Sequence, residues 1–466
     1  MSTEFDVVVI GGGPGGYATA LYGASAGLSV AVVERDKVGG TCLHRGCIPA
    51  KEFLETAAVN RAVSGAAGYG VEVGQPKLDF SVSQSRKQQV VDQLFKGLAG
   101  LMKGRGITTF SGTGTLEAGH QVRVTSQQGT VELSGRDVVL ASGSVPRTIP
   151  GFEIDGEIVL TSDEVLGLDH LPSEVAVIGG GAIGCEFASM FCDLGSKVTV
   201  LEALPSLLPG CDEDVVKQLT RAFSKRDIEI HTGVTVNGHS PRGAGTTVSF
   251  GEDQKLDVEA VVVSVGRRPF TDQLLGDGTA VVVDPRGFVA VDEFQRTAEP
   301  GVWAVGDVVD SPQLAHVGFA EGILAIKGIL SEPAIPVDYA RVPWCIYSHP
   351  EVAFAGWTEE AARRAGHDVV VKRDPFGGNS RARIIGETEG LVKVVAERGP
   401  DGRAGRILGV HMIGPWVTEQ LGQGYLAVNW EATVDEVAQF VQPHPTLSEG
   451  FGETVLALTG RGLHVG

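Results

Sequence analysis

The sequence predicts an α/β fold built from two copies of one strand–turn–helix–strand unit, followed by a C-terminal α+β block. Three observations predict it. The run FDVVVIGGGPGG (Phe5–Gly16) and the run EVAVIGGGAIG (Glu174–Gly184) read almost alike. Eighteen residues after the last glycine of each, an acid closes a second apolar run: Glu34 after SVAVV and Glu202 after KVTVL. From residue 346 onward, strand runs (LVKVVAE, ILGVHMIG) mix with a helical one (TEQLGQGYLAVNW) and no further copy of the unit is visible.

Length and composition fit this division. At 466 residues the chain is too long for one hydrophobic core. A content of 42% hydrophobic residues with 65 glycines suits an α/β protein with many tight turns. The net charge of −19 argues against nucleic acid as a partner, because phosphates need a basic surface. It is compatible with a soluble protein that attracts a basic partner. No apolar stretch reaches the roughly 18 residues of a membrane span. The first apolar run, Val7 to Ile10, follows acidic residues and breaks at glycines, unlike a signal peptide. Six cysteines in such a chain do not form a disulfide framework. A cytoplasmic enzyme without a membrane partner is expected, and any disulfide in it would be catalytic.

In each repeated unit the glycines have separate tasks. Gly11 and Gly179 permit the tight turn, Gly13 and Gly181 let the backbone approach a pyrophosphate, and Gly16 and Gly184 let helix pack close to strand. The helix N-terminus then faces the phosphates with its partial positive charge. Glu34 and Glu202 are placed to accept from the adenosine ribose hydroxyls. Two Rossmann-like units therefore predict two bound dinucleotides. Glu202 would repel the 2′-phosphate of NADP, and the following LEALPSLLPG offers no basic residue before Gly210, so NAD is favoured.

Between the units lies GGTCLHRGCIPAKEF, with Cys42 and Cys47. Five helical steps rise about 7.5 Å, whereas bonded cysteines hold their Cα atoms about 4.4–6.8 Å apart. A disulfide here needs a distorted turn, which Gly46 and Pro49 allow, and strained disulfides are the reducible ones. Alone, the pair fits either a redox disulfide or two structural cysteines. Beside a dinucleotide site the redox reading is preferred. Next come an amphipathic stretch (Gln88–Lys103), short strands, and VVLASGS, leading to Pro150-Gly151. The second unit ends similarly at VVVSVGRRP. Cys185, Cys192, Cys211 and Cys345 lack metal-ligand spacing, and the first two share a helical face as packing residues would. No metal is expected. These landmarks divide the chain at 1–150, 151–275, 276–345 and 346–466. The last block carries no dinucleotide motif, and homodimer contact would explain it.

GGGPGG, GGTCLHRGCIPAK, GGGAIGCE, VGRRP, AVGDV, LAH at Leu314–His316, NSRA at Asn379–Ala382 and HPTLSE at His444–Glu449 stand in an order that resembles the pyridine nucleotide–disulfide oxidoreductase family over the full length. Within that family the chain is most similar to the enzymes that oxidise dihydrolipoamide with NAD. The resemblance implies FAD on the first unit, NAD on the second, a central segment completing the FAD site, and a C-terminal dimerisation domain. FAD contacts would come from Gly11, Gly13, Pro14, Gly16, Glu34, Arg35, Gly40, Thr41, Lys51, Gly114, Ser142, Gly143, Ser144, Asp307, Leu314, Ala315 and His316. NAD contacts would come from Gly179, Gly181, Ala182, Ile183, Gly184, Glu186, Glu202, Val234 and Gly266.

In that family Cys42 would be the thiol that exchanges with substrate and Cys47 the thiol against the flavin. Lys51 would pair with Glu186 near the reactive edge of the flavin. Asp307 would hydrogen-bond the ribityl chain, and Leu314 to His316 would offer backbone groups to the flavin's pyrimidine edge. His444 would act as acid/base catalyst with its tautomer fixed by Glu449. His44, inside the cysteine loop, is a second candidate base. The implied partners are a second copy of the chain and the lipoyl domain of a 2-oxoacid dehydrogenase or glycine cleavage complex. Ala50, Arg45, Phe270 and Trp416 depart from the usual family residues, without removing a reacting group. The alternatives are another disulfide reductase of the glutathione type, disfavoured by the missing arginines after Glu202, and a flavoprotein subunit with a mainly scaffolding role. Intact Cys42, Cys47, His444 and Glu449 argue against a silent scaffold.

Overall fold

The computed structural model describes residues 3–74 and 76–464. Glu4–Ile10 forms a strand whose Val7, Val8 and Val9 are fully buried, the pattern of a strand covered on both faces. It sits within a seven-stranded sheet, with Val30–Glu34 and Thr108–Ser111 on one side. On the other side come Gly129–Leu140, Gln121–Ser126 and Thr113–Glu117. Val8 lies opposite Ala31 on one neighbour and Val138 on the other, both in parallel register. Val302–Ala304, from the segment 276–345, adds in parallel beside Gly129–Leu140.

The second unit repeats the plan. Its five-stranded sheet runs Glu229–Thr232, Lys197–Glu202, Glu174–Ile178, Ala260–Val263, Val159–Leu160, all in parallel. The crossing helices Pro14–Ser25 and Ala182–Leu194 occupy equivalent places. A short antiparallel pair, Ser144–Pro146 with Arg267–Pro269, ties the exit of the first unit to the return from the second. The third sheet is antiparallel, in the order Trp344–Ile346, Glu351–Gly356, Ala404–Gly414, Leu391–Arg398, Val369–Pro375. Trp344 already belongs to it, ahead of the boundary expected at residue 346.

The amphipathic stretch is longer than Gln88–Lys103. It is the helix Phe80–Gly104, started early because the Asp79 carboxylate accepts from the Ser81 and Val82 N–H groups. Phe80 stacks on Phe53, at 5.5 Å between ring centres, which holds this helix against Cys47–Ser64. The helix Cys47–Ser64 is in turn fastened to Ala182–Leu194 at both ends. Lys51 pairs with Glu186 at one end, and at the other Asn60 donates to the Asp193 carbonyl while Arg61 pairs with the Asp193 carboxylate. The cysteine segment and the second dinucleotide unit therefore share one rigid helix pair. A buried lysine joins the second unit to the C-terminal block. Lys393 is 2% exposed and bonds Asp212, Asp214 and Glu359 at 2.9, 2.6 and 2.9 Å. Only such saturation with partners makes a buried cation tolerable.

Candidate functional site

Both glycine turns adopt the geometry that their composition dictates. Gly11 and Gly179 have φ of +110° and +104°, where a Cβ would meet a backbone carbonyl oxygen at 2.2 and 2.5 Å. A Cβ on Gly16 or Gly184 would lie 1.8 or 1.9 Å from the carbonyl oxygen of Gly11 or Gly179, so helix and turn can pack only through glycine. The two closing acids bind alike. Glu34 accepts from the N–H groups of Gly12 (2.7 Å) and Asp36 (2.8 Å), and Glu202 from those of Gly180 (2.5 Å) and Leu204 (2.7 Å). Each carboxylate thus braces its own turn and remains at the rim of the cavity beside it.

One cavity of about 1200 Å³ runs past both turns. Its walls include Gly11, Gly13, Pro14, Glu34, Arg35, Gly40, Thr41, Gly114, Ser142, Gly143 and Ser144 on the first unit. Gly179, Gly181, Ala182, Ile183, Glu186, Glu202, Val234 and Gly266 line it on the second. Cys42, Cys47 and Lys51, together with Asp307, Leu314 and Ala315, also line it. Three helices, Pro14–Ser25, Ala182–Leu194 and Ala315–Ile329, begin at this cavity, and none has its first N–H groups capped by a side chain. Free donors and three positive dipole ends around one space fit phosphates and an electron-rich ring edge. No lysine or arginine lines the cavity between Leu201 and Val236 among the described residues. The room left by the glycines, the uncapped helix ends and the acid at each strand end fit two dinucleotides such as FAD and NAD.

The cysteines sit where the two units meet. A short helix, Gly40–Arg45, carries Cys42, and Cys47 opens the helix Cys47–Ser64. Gly46 breaks the run between them, and a Cβ there would press on the Thr41 carbonyl oxygen at 3.0 Å and the Cys42 Cα at 3.3 Å. This is the distorted turn that a Cys42–Cys47 bond requires. Both thiols are free in the structure. Cys42 donates to the Cys47 sulfur, which together with burial pushes the Cys42 thiol up. The same hydrogen bond, opposed by burial and assisted by the Lys51 charge, brings Cys47 down to about 7. Of the pair, Cys47 is the thiol shifted toward the thiolate and Cys42 the one shifted away from it.

Lys51 lies one helical turn after Cys47. Its ammonium donates to both Glu186 oxygens at 2.9 and 2.8 Å and faces the Tyr347 ring at 4.9 Å. The Tyr347 N–H donates to Glu186 as well, at 2.9 Å, so the carboxylate is held from two domains. Asp307 accepts from the Ser144 hydroxyl at 2.6 Å, and burial raises its carboxyl above the usual range.

Six of the expected residues stand outside the cavity wall. Gly16 and Gly184 lie behind it, at the helix–strand contacts described above. His316 directs its ring elsewhere, with Nε2 donating to the Pro343 carbonyl at 2.8 Å, while the backbone groups expected of it lie in the first turn of the helix Ala315–Ile329. His44 also stands outside the wall: its Nε2 donates to the Val38 carbonyl at 2.9 Å and its ring packs on Phe95. His444 and Glu449 form a pair of their own in the C-terminal block. The Nδ1–H of His444 donates to Glu449 at 2.9 Å, so the carboxylate fixes the tautomer and Nε2 carries the lone pair. The His444 side chain is 62% exposed and Glu449 only 12%.

Two residues escaped the sequence reading. Arg267, the first arginine of VGRRP, clasps the Ser144 hydroxyl (2.7 Å) and carbonyl (2.8 Å). Glu321 is fully buried, accepts from the Gly306 N–H at 2.5 Å, and so holds the turn that presents Asp307. A lone acid in the apolar helix HVGFAEGILA was its only signal.

Among the described residues, no group of three or more His, Cys, Asp or Glu could hold a metal ion, and no helix is long and apolar enough to cross a membrane. Comparison with known proteins agrees with this geometry. The chain is 41% identical to a dihydrolipoyl dehydrogenase of Bacillus subtilis and 37% identical to one of Zymomonas mobilis, with each pair of chains covered in full. Among solved structures, LpdA from Mycobacterium tuberculosis superposes with a TM-score of 0.90 at 25% identity, over 98% of this chain and all of that one. The HOCl-induced flavoprotein disulfide reductase RclA from Escherichia coli, as its Cu(II) complex, gives 0.88 at 27% identity, again over 98% of this chain and all of that one. Residues 5–322 match the model of the pyridine nucleotide-disulphide oxidoreductases and residues 342–455 the model of their dimerisation domain. The chain belongs to the pyridine nucleotide-disulphide oxidoreductase family.

Proposed function

We propose that the chain oxidises protein-bound dihydrolipoamide to lipoamide and reduces NAD, with FAD between the two half-reactions. The observation that carries this reading is the single cavity in which a thiol pair stands between two acid-ended glycine turns. Residues 1–150 with 276–345 would house FAD, 151–275 NAD, and 346–466 the contact with a second copy. Exposed Trp416, Trp430, Phe440 and Val441 on the last block support a homodimer, since apolar patches of this kind mark interfaces. The lipoyl domain of a 2-oxoacid dehydrogenase or glycine cleavage complex would deliver the substrate, in the cytoplasm.

The chain's own groups perform the thiol chemistry. His444 Nε2 of one copy takes a proton from the substrate dithiol, and the resulting thiolate attacks the Cys42 sulfur of the oxidised pair in the other copy. The disulfide breaks and Cys47 leaves as a thiolate, which its lowered pKa favours. The second substrate thiol then attacks the mixed disulfide, closes the lipoamide ring and releases Cys42. The electron pair now resides on the two cysteines. Bound FAD supplies the hydride-transfer chemistry that carries this pair to NAD. Lys51, fixed by Glu186, holds its charge beside the Cys47 thiolate throughout. Steady-state rates with dihydrolipoamide and glutathione disulfide, each with both nicotinamides, test the reading. Dihydrolipoamide with NAD should be the fastest combination. A faster rate with glutathione disulfide and NADPH would replace it with the glutathione-type alternative.

A further inference from the structure

We propose that Phe270 and Arg35 form a stacked clamp over the adenosine half of the FAD site, in which Phe270 is the residue that holds the guanidinium flat. The proposal rests on reading the first unit as the FAD site. The Arg35 guanidinium carbon lies 4.1 Å from the centre of the Phe270 ring, and both residues line the cavity. Arg35 directly follows Glu34, the acid placed for the adenosine ribose, so it stands at the adenosine end.

Phe270 reaches the same place from the segment that returns from the second unit. It follows the strand Arg267–Pro269, which pairs with Ser144–Pro146 where the chain returns from the second unit. Its backbone is held twice by the ASGS turn: its N–H donates to the Gly143 carbonyl at 2.9 Å, and its carbonyl accepts from the Ser142 hydroxyl at 2.6 Å. The ring is therefore a fixed platform. The cation has no competing anchor, since no carboxylate pairs with Arg35 among the described residues and the adjacent Asp36 is engaged by Arg45 at 3.4 Å.

A guanidinium is planar, with two faces that stack on aromatic rings. Phe270 covers one face. The other is available to a flat heteroaromatic ligand, and adenine is the flat group next to the ribose. The clamp would order ring, guanidinium and adenine as one stack, and close the FAD site with a residue from outside the first unit. An asparagine at position 270 could not form it.

Titration of apoprotein with FAD, followed by flavin fluorescence, tests this directly. Phe270→Asn and Phe270→Leu should each weaken FAD binding by about threefold to thirtyfold, the range for one cation–π contact. Phe270→Tyr, which keeps the ring, should bind FAD as the unaltered protein does. Arg35→Met should lose as much as Phe270→Asn, and the double variant should lose no more than either alone. Phe270→Leu binding FAD normally would show that the ring only fills space and would overturn the clamp. So would losses from Arg35→Met and Phe270→Asn that simply add. Failure of the unaltered apoprotein to take up FAD would instead overturn the underlying site assignment.

Discussion

Cys42→Ser is expected to lose dihydrolipoamide turnover by a factor on the order of 10⁵–10⁶, the scale for removing an activated nucleophile, yet to gain a long-wavelength absorption band without added reductant. The serine variant cannot form the disulfide, so Cys47 remains a permanent thiol beside the oxidised flavin. In the native pair, a hydrogen bond from Cys42 comes first among the influences that bring Cys47 down to about 7, burial opposes it, and the Lys51 charge adds to it. A serine hydroxyl can donate in place of the thiol. The Cys47 thiolate would then give charge-transfer absorption with the flavin, strengthening as rising pH deprotonates the sulfur and fading as pH falls, since only the deprotonated sulfur donates an electron pair. Cys47→Ser should lose turnover equally and show no band. A band that follows Cys47→Ser instead would reverse the two roles.

His444→Ala is the second large effect. It should lower kcat for dihydrolipoamide by about 10²–10⁴, the usual contribution of a positioned acid/base. The structure adds a condition to this expectation. His444 does not line the cavity that holds Cys42, its ring is mostly exposed, and Glu449 turns Nε2 outward. The base would therefore serve the cysteine pair of a second chain. Homodimers of Cys42→Ser and of His444→Ala should each be nearly inactive, while a mixed dimer contains one site with both groups intact. Its activity should approach half that of the unaltered enzyme if the two sites act independently. A mixed dimer as inactive as its parents would show that His444 does not act across the interface.

The legible parts of this protein are those that a short stretch of backbone must satisfy by itself. Gly11, Gly16, Gly179 and Gly184 could be assigned tasks from spacing because no side chain fits where they stand. Glu34 and Glu202 could be placed from the length of the unit. Gly46 could be expected to distort the cysteine turn because the helical rise is too long for a disulfide. Residues whose partners come from remote segments were not legible. Arg267 reads as one of two arginines in a motif until Ser144 lies beside it. Glu321 reads as a surface acid until the Gly306 turn is seen above it. The side-chain partners of His316 and His44 were not legible for the same reason, since the carbonyls of Pro343 and Val38 that engage them leave no trace in the local pattern. The helix Phe80–Gly104 began earlier than periodicity indicated because a single cap, Asp79, decides where a helix starts.

The central claim is that the cysteine pair and the flavin form one electron path, with the thiols accepting from substrate first. Anaerobic titration of the FAD-loaded, oxidised protein with dihydrolipoamide tests it most directly. The first two electrons per chain should generate the long-wavelength charge-transfer band while the main flavin absorption persists, and NAD added next should discharge the band and yield one NADH per chain. Bleaching of the flavin by those first two electrons, with no such band, would mean that the thiol pair is bypassed and would contradict the account.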